Sequence, residues 1–376
     1  MNALVIADAA SLHAHCARWQ TLSAIGIDTE FVRTRTYFAQ PGLIQLSDPS
    51  GIYLVDPIAI ENLGALNAIL TSPSVVKVLH SAEEDLGLLS RLAGAPIGPI
   101  FDTQIAAAFL GFGFSVGYRT IVDACFNVTV EKGETRSDWM QRPLTASQLR
   151  YAAQDVEWLL PLYDKFTARL AQNERASWVR EECIRLEGIG NTGGTYDLSR
   201  FRNAWQLDQI NVAILARLID WREQEARRAD RPRGHVLSDD ALYQVARFKR
   251  THNLDASRLN PRDFRGLKRH RDAVGHIIEE ISAAPAAHYP APPPRPATSK
   301  SEKAAIKSLR SVCDEVAAEL GIAPELLAQR RILEQWLRSI ADNEPPALRD
   351  WQRPLLQTRI DEFAKAHAEG LANAPD

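Results

Sequence analysis

Apolar and polar residues alternate singly across residues 25–33: Ile25, Ile27, Thr29 and Phe31 are interleaved with Gly26, Asp28, Glu30 and Val32. A period of two is the signature of a strand, and it sets Asp28 and Glu30 side by side on one face. Upstream, residues 4–6 read as a short strand, followed by a helix that carries Leu12, Cys16 and Trp19 behind a cap at Asp8 or Ser11. Apolar runs at 42–47 and 51–56 flank the Asp48-Pro49-Ser50 turn and predict an antiparallel hairpin. Residues 63–70 read as helix, 75–79 as strand, 83–92 as helix, 99–102 as strand and 105–110 as helix. A long amphipathic helix is expected over 146–170, kinked or broken near Leu160 because Pro161 cannot donate a backbone hydrogen bond. Strands in a meander, then strands alternating with helices, predict an α/β domain whose mixed sheet is flanked by helices.

The glycines of 188–194 mark a change of composition. Beyond them only helical periodicity remains, over 205–225, 239–250 and 262–281, and later over 302–320, 324–340 and 355–370. Between the two blocks lies a proline-rich stretch that predicts a stiff, extended linker. The expected organisation is an α/β domain over 1–190, an all-α module over 204–284, a linker over 285–299 and a second all-α module over 300–376. The two modules look like diverged copies of one design.

A chain of 376 residues has room for two or three such domains. Its net charge of -3 gives no bulk attraction to nucleic acid, so any such contact must come from local patches. The first helical module supplies a candidate: Arg222, Arg227, Arg228, Arg231, Arg233, Arg247, Lys249, Arg250, Arg258, Arg262, Arg265, Lys268, Arg269 and Arg271. The alternative is a solvated helix exterior. Four scattered cysteines fit neither a zinc site nor a disulfide scaffold, which points to a reducing, cytoplasmic setting. No signal peptide is apparent, and no apolar run approaches the roughly 20 residues of a membrane span, so no membrane association is expected. The glycines of 111–117 have the wrong spacing for a dinucleotide fingerprint and no Walker lysine motif exists, so no nucleotide cofactor is expected.

The chemistry begins with Asp28 and Glu30. Neighbouring carboxylates on a buried strand repel each other and resist burial, which a divalent cation bound through oxygen would relieve. The alternative is a polar strand edge facing water. Three further elements bear on the choice. His80-Ser81-Ala82-Glu83-Glu84-Asp85 opens a helix straight after a strand, with Ser81 as a possible cap. At least one of its three acids is expected simply to favour the helix N-terminus. Tyr151 and Asp155 stand four apart on the long helix and share a face, while the small Ala152 and Ala153 permit close approach to a neighbour. Residues 132–139 form a polar loop with one aromatic, Trp139. His80 is expected to be a satisfied histidine beside a strand end, with contact to a terminal nucleotide as the lesser alternative.

These residues resemble a known family. Asp28-x-Glu30, then Asp85, then Tyr151-x-x-x-Asp155 is similar to the acid pattern of the DEDDy exonucleases. The 132–139 segment, Arg142-Pro143-Leu144 and Leu149-Arg150-Tyr151-Ala152-Ala153-Gln154-Asp155 narrow the resemblance to the bacterial ribonuclease D family. Arg231-Pro232-Arg233-Gly234 and Leu237-Ser238-Asp239-Asp240 are similar to HRDC domains, and the second module carries a weaker likeness at 322–327 and 351–353.

The resemblance implies a ribonuclease H-like fold and 3′-5′ exoribonuclease activity on tRNA precursors and other small structured RNAs, by a monomer using two divalent ions, Mg²⁺ or Mn²⁺. It implies that Asp28 bridges both ions, that Glu30 and Asp155 hold the one on the nucleophile side, and that Asp85 serves the other. Tyr151 would orient the attacking water and the phosphate, since a phenol is a poor base at neutral pH. Thr29, His80, Arg136 and Trp139 are candidate substrate contacts. A 3′-5′ DNA exonuclease and a non-catalytic RNA-binding scaffold are the rival readings. The intact set of acids argues against the scaffold.

Overall fold

The computed structural model describes residues 3–131, 133–134, 137–192, 198–201, 203–249, 259–285, 289–293, 295 and 299–372. It divides into two compact units. The first comprises Met1–Phe31, Pro41–Gly193 and Ala297–Asp376, and the second Val32–Gln40 and Gly194–Pro296.

The first unit is built on six strands: β1 (Leu4–Ile6), β2 (Ala24–Val32), β3 (Gln40–Asp48), β4 (Gly51–Val55), β5 (Val76–Leu79) and β6 (Ile100–Asp102). They lie in the order β1-β4-β3-β2-β5-β6. β3 and β4 form the expected antiparallel hairpin, with Leu46 opposite Tyr53. β1 runs parallel to β4, β5 parallel to β2 and β6 parallel to β5. The helices among and after them are α1 (Ala9–Trp19), α2 (Gly64–Leu70), α3 (Glu83–Ala93), α4 (Thr103–Phe109), α5 (Tyr118–Phe126), α6 (Ala146–Glu157), α7 (Leu159–Gln172) and α8 (Ala176–Thr192). The α/β class with a mixed, helix-flanked sheet is as the periodicity predicts.

β2 sits inside the sheet, and its two faces have different work. Ile25 and Ile27, both fully buried, enter the large core beneath α1 to α4. Ala24 enters a second core with Leu43, Leu54, Val78, Trp139, Ala152, Ala153, Val156 and Leu159, under α6 and the start of α7. The long predicted helix is broken at Trp158, close to the expected place. Just past this break Leu159 packs against β2: a Cβ added to Gly26 would stand 3.1 Å from Leu159 Cβ, and 2.2 Å from Ser47 Oγ on β3. Only a hydrogen fits there.

Of the two candidate caps of α1, Asp8 serves, accepting the Ser11 N–H at 2.8 Å. Other local expectations are corrected. Ser81 does not cap α3; it takes a left-handed conformation at φ 60°, and the Asp102 carboxylate accepts the N–H groups of Ser81 and Ala82. α5 and α8 lie outside the helices that the periodicity predicts. α8 carries helical backbone through the glycines of 188–190 to Thr192, because neither an unpacked glycine nor a polar run need end a helix held by its apolar face.

The first unit also contains α14 (Lys300–Leu320), α15 (Arg330–Ala341) and α16 (Arg353–Ala372). The helix expected over 324–340 is divided into a 3-10 turn at Pro324–Leu326 and α15. This block is packed into the sheet domain. Trp351 is buried, stacked at 5.4 Å on Trp178 and edge-on at 5.0 Å to Phe109. Glu182 on α8 accepts from Arg349 at 2.6 Å and from the Trp351 indole at 2.9 Å. The backbone joins as well, Ala323 N–H donating to Ala108 C=O at 3.2 Å.

The second unit holds α9 (Gln209–Arg228), α10 (Arg233–Val236), α11 (Asp239–Phe248), α12 (Pro261–Arg269) and α13 (Arg271–Ala283) around one apolar core. The helix expected from 205 starts four residues later behind the Asp208 cap, and the one expected over 262–281 is two helices meeting at His270. Within this unit the Tyr37 ring lies between the guanidinium groups of Arg227 and Arg233, 5.3 and 4.9 Å from its centre. Its hydroxyl donates to Glu223. Of the proline-rich stretch, 285, 289–293, 295 and 299 have no regular structure, and 286–288, 294 and 296–298 lie outside the described residues.

The Gly26 contact is testable. Gly26→Ala must push Ser47 or Leu159 away, and overpacking of this kind costs about 1–3 kcal/mol. The expected result is a lower urea midpoint by circular dichroism; a midpoint equal to the parent's would contradict the tight contact.

Candidate active site

Asp28 and Glu30 project from the face of β2 that α6 covers. The local sequence of α6 explains how it reaches them. Thr145 and Gln148 form a reciprocal cap that fixes the helix start. Ala152 and Ala153, both buried, let the backbone settle against the sheet, as their size predicts. Asp155 is thereby delivered to the β2 carboxylates. One oxygen from each of Asp28, Glu30 and Asp155 lies within 4.8 Å of the other two. The three are half-buried, so the polar strand edge facing water is not what the chain builds.

Tyr151 stands one turn before Asp155 on α6, and its hydroxyl lowers the Asp155 pKa. The ring is boxed in. Trp139 lies 6.1 Å away, centre to centre, and the Arg119 guanidinium 6.0 Å from the ring centre. A Cβ on Gly133 would fall 2.2 Å from the ring, so the chain passes over Tyr151 only because residue 133 is glycine.

Asp85 comes from the first turn of α3. Among the three acids there it alone is buried; Glu83 and Glu84 are exposed, as expected of ordinary N-terminal acids. Asp85 accepts a hydrogen bond from the Thr29 hydroxyl. It is not one of the three acids whose oxygens cluster, but its charge acts on Asp28 and Glu30.

The remaining candidates differ in position. Thr29 is buried, with its hydroxyl committed to Asp85. His80 is satisfied at both ring nitrogens, Nδ1 to Thr103 Oγ1 at 2.9 Å and Nε2 to Val116 C=O at 3.1 Å. Burial holds its pKa below the usual histidine value. Trp139 is 3% exposed and belongs to the core beneath Tyr151, not to an exposed loop. Arg136 lies outside the described residues.

Burial and mutual repulsion set the electrostatics. Burial first, then Asp85, Asp155 and Glu30, push Asp28 well above the usual carboxylate range. Burial with Asp155 and Asp85 raises Glu30 to about 8. Burial raises Asp155 to about 7 against the opposing Tyr151 hydrogen bond and Arg119 charge, and Asp85 to about 6 against the Thr29 hydrogen bond. Tyr151 is raised as well, by burial and then by Asp155, Glu30 and Asp28. A phenol held protonated there donates hydrogen bonds and does not accept protons.

Sequence reasoning passed over several supporting residues. Asp102 accepts from the backbone of Ser81, Ala82, Gln104 and Ile105, and so fixes the starts of both α3 and α4. An aspartate between a strand and a helix is a cap signature that could have found it. Gly26, Ser47, Tyr118 and Gly133 carry no such local signal.

Comparison with known proteins bears on what this arrangement belongs to. Residues 4–171 match the model of a 3'-5' exonuclease family, and residues 211–269 that of the HRDC domain. The chain is 36% identical to a ribonuclease D of Pseudomonas paraeruginosa, over 93% of this chain and 94% of that one. It is 34% identical to ribonuclease D of Escherichia coli, over 98% and 100% of the two chains. The crystal structure of Escherichia coli RNase D, described as an exoribonuclease involved in structured RNA processing, superposes with a TM-score of 0.84 at 31% identity, covering 97% of this chain and 99% of that chain. Likeness that runs almost end to end in both sequence and fold leaves one assignment: the chain belongs to the ribonuclease D family and is a 3′-5′ exoribonuclease.

Proposed function

We propose that this exoribonuclease trims the 3′ ends of tRNA precursors and other small structured RNAs, releasing 5′-mononucleotides with the help of two divalent ions, Mg²⁺ or Mn²⁺. The observation that carries the reading is the convergence of Asp28, Glu30 and Asp155 within 4.8 Å, beside Tyr151. The donor set fits such ions: it is all oxygen, and the carboxylates destabilise one another without a cation. Asp28 would bridge the two ions, with Glu30 and Asp155 on one and Asp85 on the other. Bound there, the ions neutralise phosphate charge and make water a better nucleophile. Tyr151, held protonated, directs its hydroxyl at the scissile phosphate and the incoming water. Trp139 and Arg119 beside the ring fix its approach. Thr29 donates a hydrogen bond that restrains the Asp85 carboxylate. The catalytic domain on this reading is 1–190, with helical modules at 204–284 and 300–376 separated by the 285–299 linker.

RNA grip is assigned to the first helical module, on a smaller set of cations than its composition offers. Arg222 is buried and paired with Asp239. Arg227 and Arg233 pair with Glu223, and Arg228 with Glu225. Arg250 and Arg258 lie outside the described residues. What remains around α12 is different. Arg262, Arg265, Lys268, Arg269 and Arg271 are exposed, and Phe264 among them is 66% exposed. An aromatic ring amid cations suits a base stacked beside its phosphates.

Three outcomes test the reading. Tyr151→Phe should retain Mn²⁺ binding by calorimetry yet lose at least about tenfold in turnover on a 3′-extended tRNA, as expected for a group acting on the reacting atoms. Near-parental turnover would remove Tyr151 from that role; matched RNA and DNA oligomers in the same assay separate ribonuclease from deoxyribonuclease preference.

The raised carboxylate pKa values set a pH dependence. Groups raised on folding add stability below the unfolded value near 4 and lose it as pH climbs through about 6 to 8. Metal-free protein should therefore melt at lower temperature at pH 8 than at pH 5, and Asp28→Asn should flatten that slope. Added Mn²⁺ should restore more of the melting temperature at pH 8 than at pH 5. Pure pH-independence of melting, with no effect of Mn²⁺, would count against the ion site.

The combined Phe264→Ala, Arg265→Ala and Lys268→Ala variant should raise KM for a structured RNA about tenfold, the worth of roughly 1.4 kcal/mol. It should also shallow the salt dependence of binding while leaving turnover of a short oligomer unchanged. Equal KM values for parent and variant on the structured RNA would rule out α12 as the grip.

A further inference from the structure

The break between α6 and α7 is not an ordinary proline kink. In a continuous helix Trp158 N–H would donate to Gln154 C=O. Here the Tyr118 hydroxyl stands between them: it accepts from Trp158 N–H at 2.9 Å and donates to Gln154 C=O at 3.1 Å. Two residues on, the Val156 carbonyl accepts from the Ser47 hydroxyl at 2.8 Å, and Pro161 has no N–H to offer Glu157. The helix is thus held open by side-chain hydroxyls from α5 and β3, and Asp155 is bracketed by the two stapled carbonyls. The same junction presses on Gly26, two residues before Asp28 in β2.

We infer that Tyr118 is a positioning residue for the active site: its hydroxyl, inserted into the α6 hydrogen-bond ladder and backed by Ser47, fixes the backbone that aims Asp155 at Asp28 and Glu30. Residues that insert into a ladder bend a helix, and their removal lets it straighten. Without the hydroxyl, Trp158 N–H and Gln154 C=O can pair directly. The turn that carries Asp155 then tightens and its carboxylate leaves the cluster. Tyr118 reaches no substrate in this account; it acts through Asp155. The ring has a second anchor against His80, 5.6 Å away, so a phenylalanine can keep the packing and lose only the hydroxyl.

The inference rests on Asp155 being a metal ligand, and the test separates the two claims. Mn²⁺ affinity of the full-length chain would be measured by titration calorimetry, with metal-free melting temperature and the KM and kcat for a single-stranded RNA alongside. Tyr118→Phe is expected to weaken Mn²⁺ binding about tenfold, the low end for loss of a residue that orients a ligand. It should lower kcat with KM little changed and leave melting within a few degrees. Ser47→Ala should move the same quantities in the same direction. It carries the test should Tyr118→Phe fail to fold. Tyr163→Phe, whose ring packs on Phe101 from α7, should match the parent throughout. Asp155→Asn must itself lose Mn²⁺ affinity; if it does not, the metal reading falls and this inference with it. If Asp155→Asn loses affinity while Tyr118→Phe, or Ser47→Ala in its place, binds Mn²⁺ like the parent, Tyr118 positions nothing and the inference is overturned.

Discussion

Carboxylates that cannot share charge comfortably are forced to share space. Asp28, Glu30 and Asp155 stand within 4.8 Å of one another in half-buried positions, with Asp85 close enough to act on two of them. Each is pushed toward its protonated form, a cost that the fold must offset elsewhere. The compensation is apolar and local. Fully buried Ile25 and Ile27 anchor one face of β2, and Ala152, Ala153, Val156 and Leu159 seal the other. The strand is fixed from both sides, so its acids have nowhere to relax. A site under such tension is prepared for a cation, because binding one relieves the repulsion instead of adding strain.

The support is made of contacts that tolerate no extra atoms. α6 and α7 approach β2 at Gly26, the backbone crosses Tyr151 at Gly133, and hydroxyl groups replace the helical hydrogen bonds of the intervening break. Asp102 does the same for the other side of the site, one carboxylate taking four backbone N–H groups and so setting where α3 begins. None of these residues needs to touch substrate to matter. Each determines a backbone path, and the path determines where a carboxylate points.

The two helical modules take different structural parts. The second is continuous with the catalytic unit through Trp351, Arg349 and Glu182, a buried interface of stacked aromatics and charged hydrogen bonds. Cutting the chain at the end of the α/β region would therefore expose a large apolar face on α4 and α8. The first module has its own core, and its exposed cations concentrate on α12 around Phe264.

Much of this was written in the sequence. Period-two alternation determined β2 and the shared face of Asp28 and Glu30; the spacing of Tyr151 and Asp155 determined that they lie together; Ala152 and Ala153 announced a close-packed helix; and the acid pattern identified the family. Each is a local property, set within a turn of helix or a few residues of strand. What tertiary structure alone decided was nonlocal. Trp139 and Thr29 face inward because the packed elements around them leave no other room, and the Thr29 hydroxyl is turned to Asp85. α8 outran its glycines because its apolar face had a partner, and the second module joined the catalytic unit through residues that only burial makes informative. The opening of the long helix was foreseen from Pro161, but not the tyrosine that fills it. A hydroxyl contributed from 36 residues away obeys no period along the chain, and its place is determined only when both helices have packed.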